Sequence, residues 1–172
     1  MRRDEFVDQK FTWFTGVIED INDPEKLNRV KVRPFGYYTE NKEELPTSEL
    51  PWSQVMMPTT SASLKGNGSS HQLEVGSWVV GFFRDGPSAQ DAMVMGSISS
   101  KTDGEVDVPK EHSTTRKVYK SKAGHLVEIE NNEGSESVKI THGTNSNSYI
   151  LFDSVGNIHV SAPTIFLNGE PN

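Results

Sequence analysis

The chain has 172 residues, no cysteine, 33% hydrophobic residues, 14 glycines and 9 prolines, and 24 acidic against 17 basic side chains for a net charge of −7. The missing cysteines exclude disulfide frameworks, thiolate catalysis and cysteine-based zinc sites and fit synthesis in a reducing cytosol, and the charge argues against a nucleic-acid binder held by phosphate contacts. The length suits one ordinary domain or two small ones, but so low an apolar fraction supplies only a modest core, so the chain must be partly disordered, elongated or completed by partners.

The acidity is spread along the chain: 2 basic and 3 acidic groups in residues 1–8, 8 and 11 in 9–100, 7 and 10 in 101–172. A polyanion-binding face is therefore left only to a local patch such as Arg29, Lys31 and Arg33. Met1-Arg2-Arg3-Asp4-Glu5 has no apolar stretch behind its arginines, so no secretory signal is expected. Apolar runs such as those at 78–80 and 149–152 are far too short for a transmembrane helix.

In chain order, helical periodicity is nearly missing and strand patterns dominate. Strands are predicted over residues 13–19, 29–35, 52–57, 78–83 and 92–98. Asn22-Asp23-Pro24, Gly66-Asn67-Gly68 and Asp85-Gly86-Pro87 supply the turns between them. Five strands in roughly ninety residues, without a crossover helix, predict a small closed or nearly closed antiparallel barrel. The alternation Arg29-Val30-Lys31-Val32-Arg33 suits a strand with one wet face.

Residues 101–116, polar and holding Gly104 and Pro109, read as a linker. Beyond Lys117, short strands are predicted over 125–130, 136–142, 149–153, 157–161 and 164–168, punctuated by Gly124, Gly134, Gly143, Gly156 and Gly169. Quasi-repeats this short cannot bury an apolar side within one chain, which points to a β-solenoid or an intertwined β-helix completed by neighbours or sister chains.

Catalytic patterns are weak. Glu19 and Asp20, or Glu128 and Glu130, offer paired carboxylates, but Glu128 and Glu130 fall on one face of one strand, whereas glycosidases need carboxyls converging across a cleft. There is no Gly-X-Ser-X-Gly and no legible Ser-His-Asp arrangement. Gly66-Asn67-Gly68 lacks the strand and helix of a phosphate loop. Trp13, Trp52 and Trp78 could form a base-stacking platform, but each sits in an apolar strand, which favours core or interface packing.

The order of motifs resembles the central spike or tail-tip hub proteins of contractile-tailed bacteriophages, to which type VI secretion spikes are similar in build. The matching runs are Trp13-Phe14-Thr15-Gly16-Val17-Ile18-Glu19-Asp20, Asn28-Arg29-Val30-Lys31-Val32-Arg33, Leu50-Pro51-Trp52 and Glu74-Val75-Gly76-Ser77-Trp78-Val79-Val80-Gly81. In the second half they are Ser121-Lys122-Ala123-Gly124-His125-Leu126-Val127 and Asp153-Ser154-Val155-Gly156-Asn157-Ile158. The resemblance implies an all-β chain: an N-terminal tail (1–8), an OB-fold barrel (9–100), a linker (101–116) and a spike domain (117–172) that forms an intertwined triple-stranded β-helix only in a homotrimer.

Some members insert a lysozyme domain between barrel and β-helix; here the short linker stands in its place, so no enzymatic activity is carried over. Others end in a His-X-His pair whose three copies bind iron. Asn157-Ile158-His159-Val160 holds a single histidine, so no metal or other cofactor is assigned, and His125, His142 and His159 are the candidates for any ion on a threefold axis.

The function so implied is mechanical: a trimeric baseplate spike, made in the host cytoplasm and carried in the virion, that docks on the tail hub and punctures the host envelope as the tail contracts. With the chain stopping at Asn172, a small PAAR-type tip protein is expected on the C-terminal end, and no nucleic acid among the partners. The alternatives are a secretion-system spike and an OB-fold module binding single-stranded nucleic acid or carbohydrate.

Overall fold

The computed structural model describes residues 12–166. The tail 1–8 and the last residues of the strand expected at 164–168 lie outside them; residues 164–166 are not in a strand. The chain divides into two units at Ser100 and Lys101. No helix of the described residues is long and apolar enough to cross a membrane.

The first unit is a closed five-stranded barrel in the order β1-β2-β3-β5-β4, built from β1 (Thr12–Asp20), β2 (Val30–Pro34), β3 (Trp52–Val55), β4 (Trp78–Phe83) and β5 (Ala92–Ser97). Period-two alternation sends Phe14, Ile18, Val30, Val32, Val79, Phe83, Ala92 and Val94 into the interior, where they form the core. The expected all-antiparallel barrel is corrected at one seam: β3 and β5 run parallel, with Gln54 opposite Met93. Strand directions cannot alternate all the way round a ring of five, so closure demands a like-directed pair.

Closure also needs room and curvature. Gly16 and Gly81 take inward positions of β1 and β4; a Cβ at Gly81 would collide with the Met93 carbonyl and lie 2.6 Å from the Phe14 ring. Small residues there let large ones cross the narrow interior. Register shifts between Ile18 and Asp20 and between Val80 and Gly81 bend the strands where the wall turns.

In the second unit, part of the expected linker is a tight hairpin, β6 (Lys101–Thr102) and β7 (Glu105–Val106). Asp103 and Gly104 turn it with positive φ at both positions, the type I′ geometry that matches strand twist. Next comes an antiparallel meander: β8 (Arg116–Lys120), β9 (Leu126–Glu130), β10 (Ser137–Thr141), β11 (Tyr149–Phe152) and β12 (Ile158–Ser161), in the spatial order β12-β11-β10-β9-β8. Successive strands of this sheet pair as neighbours in one antiparallel ladder system. Short reversals cause this, since Gly124, Gly134 and Gly156 adopt the positive φ that lets each strand return beside the last.

Candidate functional site

The two faces of the meander differ in chemistry. Val127 and Ile129 of β9 stand opposite Ile140 and Val138 of β10, which stand opposite Ile150 and Phe152 of β11, which stand opposite Val160 and Ile158 of β12. Tyr119 of β8 extends the row beside Val127. These nine side chains share one face, and it is open: Ile140 is 50% exposed, Val160 53% and Ile158 63%. Burying a side chain of this size contributes about 1.5–3 kcal/mol, so the uncovered face forgoes most of what would stabilise the sheet.

The other face mixes Val118, Leu126 and Leu151 with charged and polar side chains, several of them paired within the chain, while the buried Thr141 hydroxyl has no hydrogen-bond partner. Arg116 donates from Nε to Glu130 at 3.0 Å and lies 3.7 Å from Glu128, and Lys139 sits over the Tyr149 ring. Glu128 and Glu130 therefore serve one arginine and do not form an acid and base pair. The carboxyl of Glu130 is held below its usual range, chiefly by the Thr115 hydroxyl. Among the described residues, no cluster of three or more acids and histidines is placed to hold a metal.

The structure separates the three candidate axial histidines. His125 and His142 meet across β9 and β10 on the apolar face, their ring centroids 4.8 Å apart, whereas His159 lies on the opposite face with Nε2 2.8 Å from Asp153. Each Nδ1 of the close pair accepts a backbone N–H, from Gly143 and Thr144, which leaves the proton of the neutral ring on Nε2. In that tautomer neither Nε2 has a lone pair for a metal.

On the barrel, the basic patch is consumed by structure. Arg29 donates to both Asp23 oxygens, at 2.7 and 3.1 Å, and holds that carboxyl far below its usual range. Lys31 and Arg33 point away from the interior but are roofed by the segment between β2 and β3: Lys31 Nζ donates to the carbonyls of Thr47 and Ser48, and Arg33 to those of Thr39 and Leu45. The expected wet face of β2 is thus buried. Glu19 accepts from Arg33 as well, and Asp20 accepts from Asn22, so these two carboxylates do not converge on a substrate position.

The tryptophans are not core residues, a correction to that half of the sequence expectation. Trp13 is 51% and Trp78 43% exposed, both on the outside wall of β1 and β4, where Trp13 meets Phe82 and Trp78 meets Phe35. Trp52 instead lies beneath Lys31 and Arg29, at 5.1 and 5.9 Å. All three occupy outward positions of their strands, since their inward neighbours Phe14, Ser53 and Val79 are the buried ones.

Sequence reasoning missed β8 and the one-sided apolar face. A signal for the face exists in four runs of apolar-X-apolar: Val127-Glu128-Ile129, Val138-Lys139-Ile140, Ile150-Leu151-Phe152 and Ile158-His159-Val160.

A family model described as the Gp5 N-terminal OB domain matches residues 34–162, from the end of β2 to just past β12. Protein Gp5 of Vibrio phage KVP40 is 43% identical over 91 residues, 50% of this chain and 21% of that protein. The pre-baseplate central spike protein Gp5 of Enterobacteria phage T4 is 40% identical over 87 residues, 47% of this chain and 15% of that protein. The chain therefore aligns with about a fifth or less of the length of each of these relatives.

Proposed function

The chain belongs to the Gp5 N-terminal OB domain family, and from that premise we propose that it is a trimeric central spike component of a phage baseplate. The observation that carries this reading is the open apolar face of the second sheet. Three copies bring these faces together around one axis, giving a shaft whose core exists only in the assembly while the faces bearing Arg116, Glu128, Glu130 and Lys139 stay in water. The role is mechanical: the barrels sit on the tail hub, the shaft is driven into the host envelope by tail contraction, and the protein contributes stiffness and no catalysis. A small tip protein on the shaft end completes the device.

Both relatives named above are phage proteins, which favours a phage spike over a secretion-system spike. The exposed Trp13 and Trp78 give the barrel wall the composition of a protein contact. Arg29 and Arg33 are paired with Asp23 and Glu19 and Lys31 is buried against loop carbonyls, which disfavours the OB-fold module for single-stranded nucleic acid, since that needs an accessible cationic groove.

Sedimentation equilibrium of the full chain at micromolar concentration tests the reading. The expected species is three times the 19.1 kDa chain; a monomer overturns it. Tight retention of an oligonucleotide at low salt would restore the binding-module alternative.

A further inference from the structure

At the end of the second sheet where β8 turns into β9 and β10 into β11, the two reversals are tied together by histidines. Leu126 pairs with Thr141, so His125 and His142 form the next pair outward, rings edge to face. Gly143 N–H donates to His125 Nδ1 at 3.2 Å, which joins the second reversal to the first. Thr144 N–H donates to His142 Nδ1 at 3.4 Å, with the Thr144 hydroxyl 3.3 Å from the same atom. The reversals are pressed close, since a Cβ on Gly143 would run into the Ala123 carbonyl. Both rings line an apolar hollow of about 410 Å³ with Tyr119, Ile140, Ile150 and Val160.

We propose that His125 and His142 form an acid-released clamp, which locks the two reversals while the rings are neutral and lets go when they are protonated. A second proton must go on Nδ1, where it converts the acceptor of a backbone N–H into a donor facing that N–H. It also sets two cations 4.8 Å apart beside an apolar wall. Among the described residues no carboxylate faces the pair. The ionisable groups on this face are Tyr119 and Lys117 of β8, and the first reversal carries Lys122. Arg116 and Lys120 of β8, Glu128 and Glu130 of β9, and Lys139 of β10 project from the opposite face, as does His159 of β12. β11 carries no acid in its strand, and Asp153 lies at the far end of the sheet.

That far end responds with the opposite sign. His159 Nε2 lies 2.8 Å from Asp153 Oδ2, a contact that a proton on the ring strengthens, and Asp153 also accepts the amides of Val155 and Asn157. Acid therefore frees one end of the sheet and holds the other.

Amide hydrogen exchange on the full chain, corrected for the intrinsic pH dependence of exchange, reads both ends at once. Protection of residues 143 and 144 should fall about tenfold or more between about pH 8 and about pH 5, while that of 155 and 157 stays within about twofold. In the double variant His125→Asn, His142→Asn, each side-chain oxygen replaces Nδ1 as an acceptor that does not titrate, and protection at 143 and 144 should not change with pH. Wild-type protection at 143 and 144 that is indifferent to acid overturns the clamp, as does an equal loss in the double variant. Should that variant fail to fold, the wild-type profile alone decides. The clamp is made within one chain, and sedimentation of the same sample at both pH values separates its release from any loss of the trimer: a fall in protection at 143 and 144 that appears only with dissociation overturns the clamp.

Discussion

Arg33 of β2 grips Glu19 of β1 with two parallel hydrogen bonds, Nε to Oε1 at 2.9 Å and Nη2 to Oε2 at 3.0 Å, with the side chains 3% and 5% exposed. The Thr47 hydroxyl adds a third bond to Glu19 at 2.6 Å, so the pair fastens the segment between β2 and β3 onto the barrel. Arg33→Met leaves the buried Glu19 carboxylate with only Thr47 and the exposed Lys42, 3.1 Å away, and removes the donors to the Thr39 and Leu45 carbonyls. Breaking a buried pair from one side costs about 3–5 kcal/mol. Urea unfolding followed by tryptophan fluorescence measures it, since Trp13, Trp52 and Trp78 all lie in the barrel.

The same contact sets an acid limit for the barrel. The Arg33 guanidinium lowers the Glu19 carboxyl from 4.5 to about 2, assisted by Thr47 and Lys42 and opposed by burial. A carboxyl lowered in the folded state stabilises fully above its unfolded value, and that contribution is lost as pH falls through the folded one. The barrel's urea midpoint is therefore expected to decline from about pH 4.5 toward about pH 2. Glu19→Gln should flatten that decline while lowering the midpoint at pH 7.

Gly81→Ala tests the crossing of side chains inside the barrel. Its φ is ordinary, so the penalty comes from the Met93 carbonyl and the Phe14 ring and not from backbone strain. Overpacking of this kind costs about 1–3 kcal/mol, more where the obstacle is backbone. The thermal midpoint of the barrel transition should fall, and Phe14→Leu in the same chain should recover part of the loss.

Ile140→Lys places a charge at the centre of the open apolar face. The substitution leaves the in-chain ladders intact but puts an unpaired cation into any interface formed there, which is strongly unfavourable. If the proposed trimer forms through this face, sedimentation should show monomer for this variant at a concentration where the wild-type chain sediments at three times the chain mass. Lys139→Ala, on the opposite face, should leave the assembly unchanged.

How much was legible follows from the reach of each signal. The five barrel strands are marked by period-two apolar alternation and by turns such as Asp85-Gly86-Pro87, signals a few residues long, and the structure keeps all five. β8 was hidden because Arg116, Lys117 and Lys120 surround Val118 and Tyr119, which gives a charged texture instead of an apolar strand. The β6 and β7 hairpin was announced by Asp103-Gly104 yet lost within a polar stretch. Exposure of Trp13 and Trp78 could not be read locally, because alternation separates two faces without saying which one the barrel turns inward.

From the sequence come an all-β chain, the place of most of its strands and turns, and a second half of short strands punctuated by glycine. Those properties reside in backbone preference and face alternation, which act over a few neighbouring residues. Tertiary structure alone decided that β3 joins β5 in parallel, that the cations of β2 are buried and spent on Glu19 and on loop carbonyls, and that His125 meets His142 while His159 meets Asp153. Each of those outcomes depends on which distant segments closure and register bring together, and the fate of a charge is settled by the partner that arrives beside it.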